Sequence, residues 1–95
     1  WDPHYFDIFT ALEGLYARFK TLDAVDQYYA ELEWFFIWNL LLDSANDFRK
    51  FKEGHIGFPQ IRRMMKSYFP KWRHNKYLKQ KSIKQRLLVR INYFR

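Results

Sequence analysis

The side chains to consider first for catalysis or metal binding in this 95-residue chain are three histidines, three serines and ten carboxylates. His4, His55 and His74 stand far apart, and none is expected to have a second histidine or a carboxylate one helical turn on, so a helical metal site is not expected. Ser44, Ser67 and Ser82 sit in no nucleophile-like context, and no glycine-rich phosphate loop is present. Glu31 and Glu33 are two residues apart, so on a helix they point to different sides and cannot share acid–base work. Cysteine is absent, which removes disulfides, thiolate metal sites and thiol redox chemistry and fits a reducing cytosol. The expectation is a chain with no catalytic residue, no metal and no cofactor of its own.

Asn39 and Asp43 raise a different question. Projected at about 100° per residue, both fall on the apolar stripe of Val25, Leu32 and Phe36, where polar groups are costly unless paired. The expectation is that Asp43 pairs with an Arg or Lys of the basic half, and that Asn39 satisfies a turn or a neighbouring helix. Asp43 and Asp47 stand four apart and repel each other unless a cation lies nearby.

Charge is the strongest signal. Residues 1–47 carry nine Asp or Glu against Arg18 and Lys20, whereas residues 48–95 carry fifteen Lys or Arg against Glu53 alone. The two halves give the net +7, and no acid follows Pro59. Within the basic half, Lys71, Arg73, Lys76, Lys79, Lys81, Lys84, Arg86 and Arg90 are interleaved with Trp72, Tyr77 and Leu78. Cations near an anionic leaflet contribute on the order of 1 kcal/mol each, and Trp and Tyr favour the interface. We therefore take Lys71, Trp72, Arg73, Lys76, Lys79, Lys81, Lys84, Arg86 and Arg90 as a candidate anionic-surface site. Two other uses stay open: a solvated basic face that partly complements the acidic half, and stacking of nucleic-acid bases between cations.

The elements that must position these residues are helical. Asp2 and Pro3 read as a helix start, and Tyr5, Ile8, Phe9, Leu12, Leu15, Tyr16 and Phe19 recur at helical spacing over about 3–20. Gly14 inside this run suggests a close approach by another helix. Asp23 with Asp26 resembles a capping arrangement for a long central helix over about 23–52, apolar all round from Trp34 to Leu42 and broken by Gly54 and Gly57. Pro59 opens a third helix carrying Ile61, Met64, Met65 and Tyr68, stopped near Tyr68 by Pro70. After an irregular stretch, Ser82 caps a last helix with Ile83, Leu87, Ile91 and Phe94 on one stripe. The fold class expected is all-α, a single domain over 1–95 built as an antiparallel bundle of about four helices, the last the least secured. A membrane-spanning helix needs about 20 apolar residues, and the Trp34–Leu42 run is too short. A start on Trp1 without a basic-then-apolar leader reads as a piece of a longer polypeptide.

Two stretches carry a family resemblance: ELEWFFIWNLLLDSANDFRKF, from Glu31 to Phe51, and IRRMMKSYFPKWRHNKYLKQKSIKQRL, from Ile61 to Leu87. They resemble the C-terminal helical tail of bacterial family 2 glycosyltransferases of capsular, exopolysaccharide and cell-wall polysaccharide biosynthesis. The pattern FP-x-W-x-x-N-x-Y-L, formed by Phe69, Pro70, Trp72, Asn75, Tyr77 and Leu78, carries most of it. The family's metal-binding Asp-x-Asp motif lies in an N-terminal nucleotide-sugar domain, and this chain has no Asp-x-Asp. The resemblance implies a non-catalytic tail partnered by that catalytic domain, cytoplasmic and peripheral on the inner face of the cell membrane. A free-standing protein-interaction module, a homodimer formed through an exposed aromatic face, and a nucleic-acid-binding domain are the rival expectations.

Overall fold

In the computed structural model, which describes residues 1–95, the Asp2 carboxylate accepts from the His4 backbone N–H at 2.9 Å. Pro3 begins the 3-10 turn Pro3–Phe6, which leads into α1, Asp7–Thr21. Pro suits this place because the first N–H groups of a helix have no partner to lose. α1 ends in a Schellman turn: the Asp23 N–H donates to Lys20 O at 3.0 Å and the Ala24 N–H to Phe19 O at 2.8 Å. Asp23 adopts the left-handed conformation, φ 54°, that this turn demands. Its short polar side chain tolerates that conformation better than a bulky one. Asp23 therefore closes α1 rather than capping the second helix, which begins later than expected, at Tyr29.

That second helix is continuous from α2, Tyr29–Phe36, through a π-helical stretch, Ile37–Ser44, to α3, Ala45–Lys50. It is the centre of the molecule. Phe36, Ile37, Leu40, Leu41, Ala45 and Phe48 have no exposed surface. A 3-10 turn, Lys52–Ile56, then reverses the chain into α4, Gly57–Tyr68. Gly54 and Gly57 allow this reversal to press on Phe48. A Cβ at Gly54 would lie 2.7 Å from the Phe48 Cα, and one at Gly57 would lie 2.5 Å from its ring. Gly14, in contrast, faces open space, with nothing within 4 Å of an added Cβ, so the expected helix approach there does not occur.

Pro70 stops α4 at Tyr68, and the 3-10 turn Trp72–His74 and the one-turn α5, Lys76–Lys79, follow. In α6, Ile83–Tyr93, the Ser82 hydroxyl accepts from the Gln85 N–H at 3.2 Å, the predicted cap. α6 is better held than expected, with Val89, Asn92 and Tyr93 buried against the core. The fold is all-α, four principal helices around one aromatic-rich core with no strand. The core is locked by ring contacts such as Phe36–Phe69, 4.9 Å between centroids, and Tyr16–Tyr68, 4.6 Å. No helix is long and apolar enough to cross a membrane.

Candidate anionic-surface interface

The FP-x-W-x-x-N-x-Y-L segment is a packing device. Phe69, Trp72, Asn75 and Leu78 are all buried, each in contact with or next to the second helix or α6. Asn75 is its pivot. Its Oδ1 accepts from the N–H groups of Tyr77, at 2.9 Å, and Leu78, at 3.2 Å, which caps α5. Its Nδ2 donates to the Ala30 carbonyl at 2.9 Å and to Glu33 Oε1 at 2.8 Å, which ties that cap to α2. Tyr77 adds a hydroxyl donated to Glu31 at 3.3 Å. Glu33 is thus the buried carboxylate of the fold. Burial raises its pKa above the ordinary value, while the Asn75 hydrogen bond and the nearby His74 act in the opposite direction.

Asp43, expected in that role, is exposed and has no ion-pair partner. The reason is the π stretch. Its wider winding turns each side chain after Ile37 by less than an α-helix does, so a projection at about 100° per residue puts Asp43 on the wrong face. Asn39 is half-buried and donates to the Phe35 carbonyl of its own helix at 2.8 Å rather than to a neighbour. Asp43 and Asp47 line a shallow groove of about 330 Å³ with His4, Asp7 and Ser44. There His4 and Asp7, three residues apart in sequence, lie within 3.1 Å, the molecule's single pairing of a basic with an acidic side chain and an ion pair when His4 is protonated. Asp7 thus stands one turn from His4, against the expectation that no histidine has a carboxylate at that spacing, and raises the His4 pKa mainly through its hydrogen bond.

Every Lys and Arg of the candidate site is exposed: Lys71, Arg73, Lys76, Lys79, Lys81, Lys84, Arg86 and Arg90. None forms an ion pair with an acid of the first half. Three instead lie over aromatic rings. The Arg73 guanidinium sits 5.1 Å from the Trp72 ring centre, 5.4 Å from Tyr93 and 5.2 Å from Phe94. Lys76 lies 5.2 Å above Tyr77, and Lys81 lies 5.2 Å above Trp34. Such contacts attract the cation to a ring but supply no negative charge to neutralise it. Trp72 does not lie on the expected surface. It is 1% exposed and packs on Tyr93, 5.1 Å between centroids, so it belongs to the core and not to the surface. The turn after Pro70 rotates it inward, where its large ring has area to bury.

What the cations surround is apolar. Ile83, Leu87 and Ile91 on α6 and Phe94 at its C-cap are 73%, 52%, 54% and 66% exposed. The predicted stripe exists, but it faces away from the core. Ile83 and Leu87 line an open groove of about 210 Å³ with Arg86 and Arg90. The buried face of α6 is the opposite one, where Asn92 Nδ2 donates to the Leu41 carbonyl at 2.7 Å. A second apolar groove, about 330 Å³, runs between α1 and α2 and is lined by Leu15, Phe19, Tyr28, Leu32 and Phe35 with Glu31 at its edge.

These features define a helical domain whose fourth helix presents apolar side chains within an unneutralised basic surface. No group of three or more His, Cys, Asp or Glu is placed to hold a metal. Compared with family models, curated proteins and solved structures, the chain has no match.

Proposed function

We propose that the chain is a non-catalytic C-terminal module of a glycosyltransferase of polysaccharide biosynthesis, one that holds its catalytic domain against an anionic membrane surface. The observation that carries the membrane part is that eight cations between Lys71 and Arg90 are exposed and unpaired by acid. An internal salt-bridge network would have used them up. An enzyme extending a lipid-linked acceptor gains from such a face, because leaflet or diphosphate charge is attracted to it while a catalytic domain works above. The transferase part rests on the resemblance of the Glu31–Phe51 and Ile61–Leu87 stretches. In the fold the residues of that pattern, Asn75 above all, form one docked turn on α2.

The transferase part is tested by the coding sequence upstream of Trp1, which is expected to encode a nucleotide-sugar domain with an Asp-x-Asp motif. An unrelated upstream domain overturns it. The groove of Leu15, Phe19, Tyr28, Leu32 and Phe35 favours a second reading, a protein-interaction module. Sedimentation that shows a mass near twice 11.9 kDa, abolished by Phe35→Ser, decides for that reading.

A further inference from the structure

We infer that α6 is an in-plane membrane helix, inserting Ile83, Leu87, Ile91 and Phe94 between the headgroups of an anionic bilayer while Lys84, Arg86 and Arg90 hold those headgroups. The inference rests on the proposed use of the basic surface and goes further, because attraction by charge alone requires no insertion.

The stripe is the first ground. A basic face meant only for solvent gains nothing from four large apolar side chains, each more than half exposed, standing among its cations. An apolar face bordered by Lys and Arg is the pattern of helices that lie in the interface plane. Long basic side chains can lay their stems along the apolar face and carry their charge up to headgroup level. The second ground is at the ends of the helix. Lys81, just before the Ser82 cap, lies over Trp34, and Trp34 contacts the half-exposed Trp38 at 6.1 Å. At the other end Arg73 lies over Phe94. Each end thus joins a cation to an aromatic ring, the pairing that suits the headgroup layer. The third ground is rigidity: Val89, Tyr93 and the Asn92 to Leu41 hydrogen bond fix the opposite face, so the stripe is presented without unfolding anything.

Charge also chooses the occupant. A second copy packed stripe to stripe would bring Arg86 and Arg90 against their own counterparts beside an apolar contact. A nucleic acid would meet mainly the aliphatic Ile83, Leu87 and Ile91, because Trp72 and Tyr93 are buried and Phe94 is the one exposed ring of the stripe that could stack a base. An anionic bilayer satisfies the cations and the aliphatic stripe together.

The experiment uses the full 95-residue chain and vesicles of phosphatidylcholine with or without phosphatidylglycerol. Leu87→Ser with Ile91→Ser is expected to weaken partitioning onto the anionic vesicles by roughly tenfold or more, with unchanged circular dichroism. Because the chain lacks cysteine, Leu87→Cys gives a unique attachment point for an environment-sensitive fluorophore. Its emission is expected to shift to the blue on anionic vesicles, whereas a label at Gly14→Cys, in open space on α1, stays unchanged. If the serine pair binds as tightly as the parent, and the label at 87 stays in water while Arg86→Ala with Arg90→Ala abolishes binding, insertion is wrong and the basic-surface reading survives. If the parent binds neither vesicle, both fall. A stripe protected by self-association without lipid, or vesicles displaced by a single-stranded oligonucleotide, overturns the choice of occupant.

Discussion

Replacing Asn75 by Ala tests whether one buried amide holds the FP-x-W-x-x-N-x-Y-L turn to α2. The substitution removes a cap that accepts from Tyr77 and Leu78, a loss of about 1 kcal/mol. It also removes the donor to the Glu33 carboxylate and the Ala30 carbonyl, and leaving buried acceptors unsatisfied costs about 1–3 kcal/mol. The expected loss is about 2–4 kcal/mol, and at about 4–8 °C per kcal/mol for a domain of this size the melting temperature falls by about 8–32 °C. Thermal unfolding followed by circular dichroism measures it. The pairing itself is isolated by exchanging the two groups. Asn75→Asp keeps the cap acceptor but sets a second carboxylate beside Glu33, so it destabilises. Adding Glu33→Gln restores an amide facing a carboxylate, with donor and acceptor reversed, and is expected to recover part of the loss. A coupling of at least about 0.5 kcal/mol is predicted from the cycle. If the two substitutions are additive, or if Asn75→Ala leaves melting unchanged, Asn75 is not the pivot described here.

Glu33 also fixes a pH dependence. Its pKa is raised in the folded chain, so the folded state binds the proton more tightly than the unfolded state does. Its contribution is fully present below the ordinary value of 4.5 and is lost as pH rises through the folded value. Urea unfolding of Glu33→Gln against the parent is expected to show the variant gaining relative stability from pH 4.5 upward, and parallel curves contradict this. Gly14→Ala, in a helix interior with open space around it, is expected to stabilise by about 0.5–1 kcal/mol. Gly54→Ala drives a methyl into the Phe48 backbone and is expected to destabilise by about 1–3 kcal/mol, so equal melting of the two glycine variants refutes the packing described.

The four helices and their stops were legible because each is written in local terms: Pro3 and Ser82 at helix starts, Pro70 at a stop, and apolar residues at helical spacing. The all-α class followed from these. Three misreadings share one physical origin, which is that periodicity gives the spacing of a face and not its direction or winding. The π stretch changes the angle per residue midway along the second helix, so Asp43 moves out to solvent while Glu33, upstream of the change, is the carboxylate that is buried. α6 carries apolar residues on two faces, and only tertiary packing decides that Val89 and Tyr93 turn inward and Ile83 and Leu87 outward. Trp72 lies in a non-repeating turn, where no period exists to orient it. For the candidate site, composition identified the cations correctly as exposed, since lysines and arginines without acids nearby have nothing to bury against. It could not show that the aromatic and aliphatic residues beside them come from Trp34, Trp38 and the outer face of α6.

The proposed membrane role requires that the unpaired cations of the basic half meet a negatively charged bilayer. The direct measurement is the bound fraction of the chain on vesicles as the proportion of anionic lipid is raised at constant total lipid. A steep rise from negligible binding on neutral vesicles, weakened by salt, is the predicted result. Equal binding at every composition contradicts it.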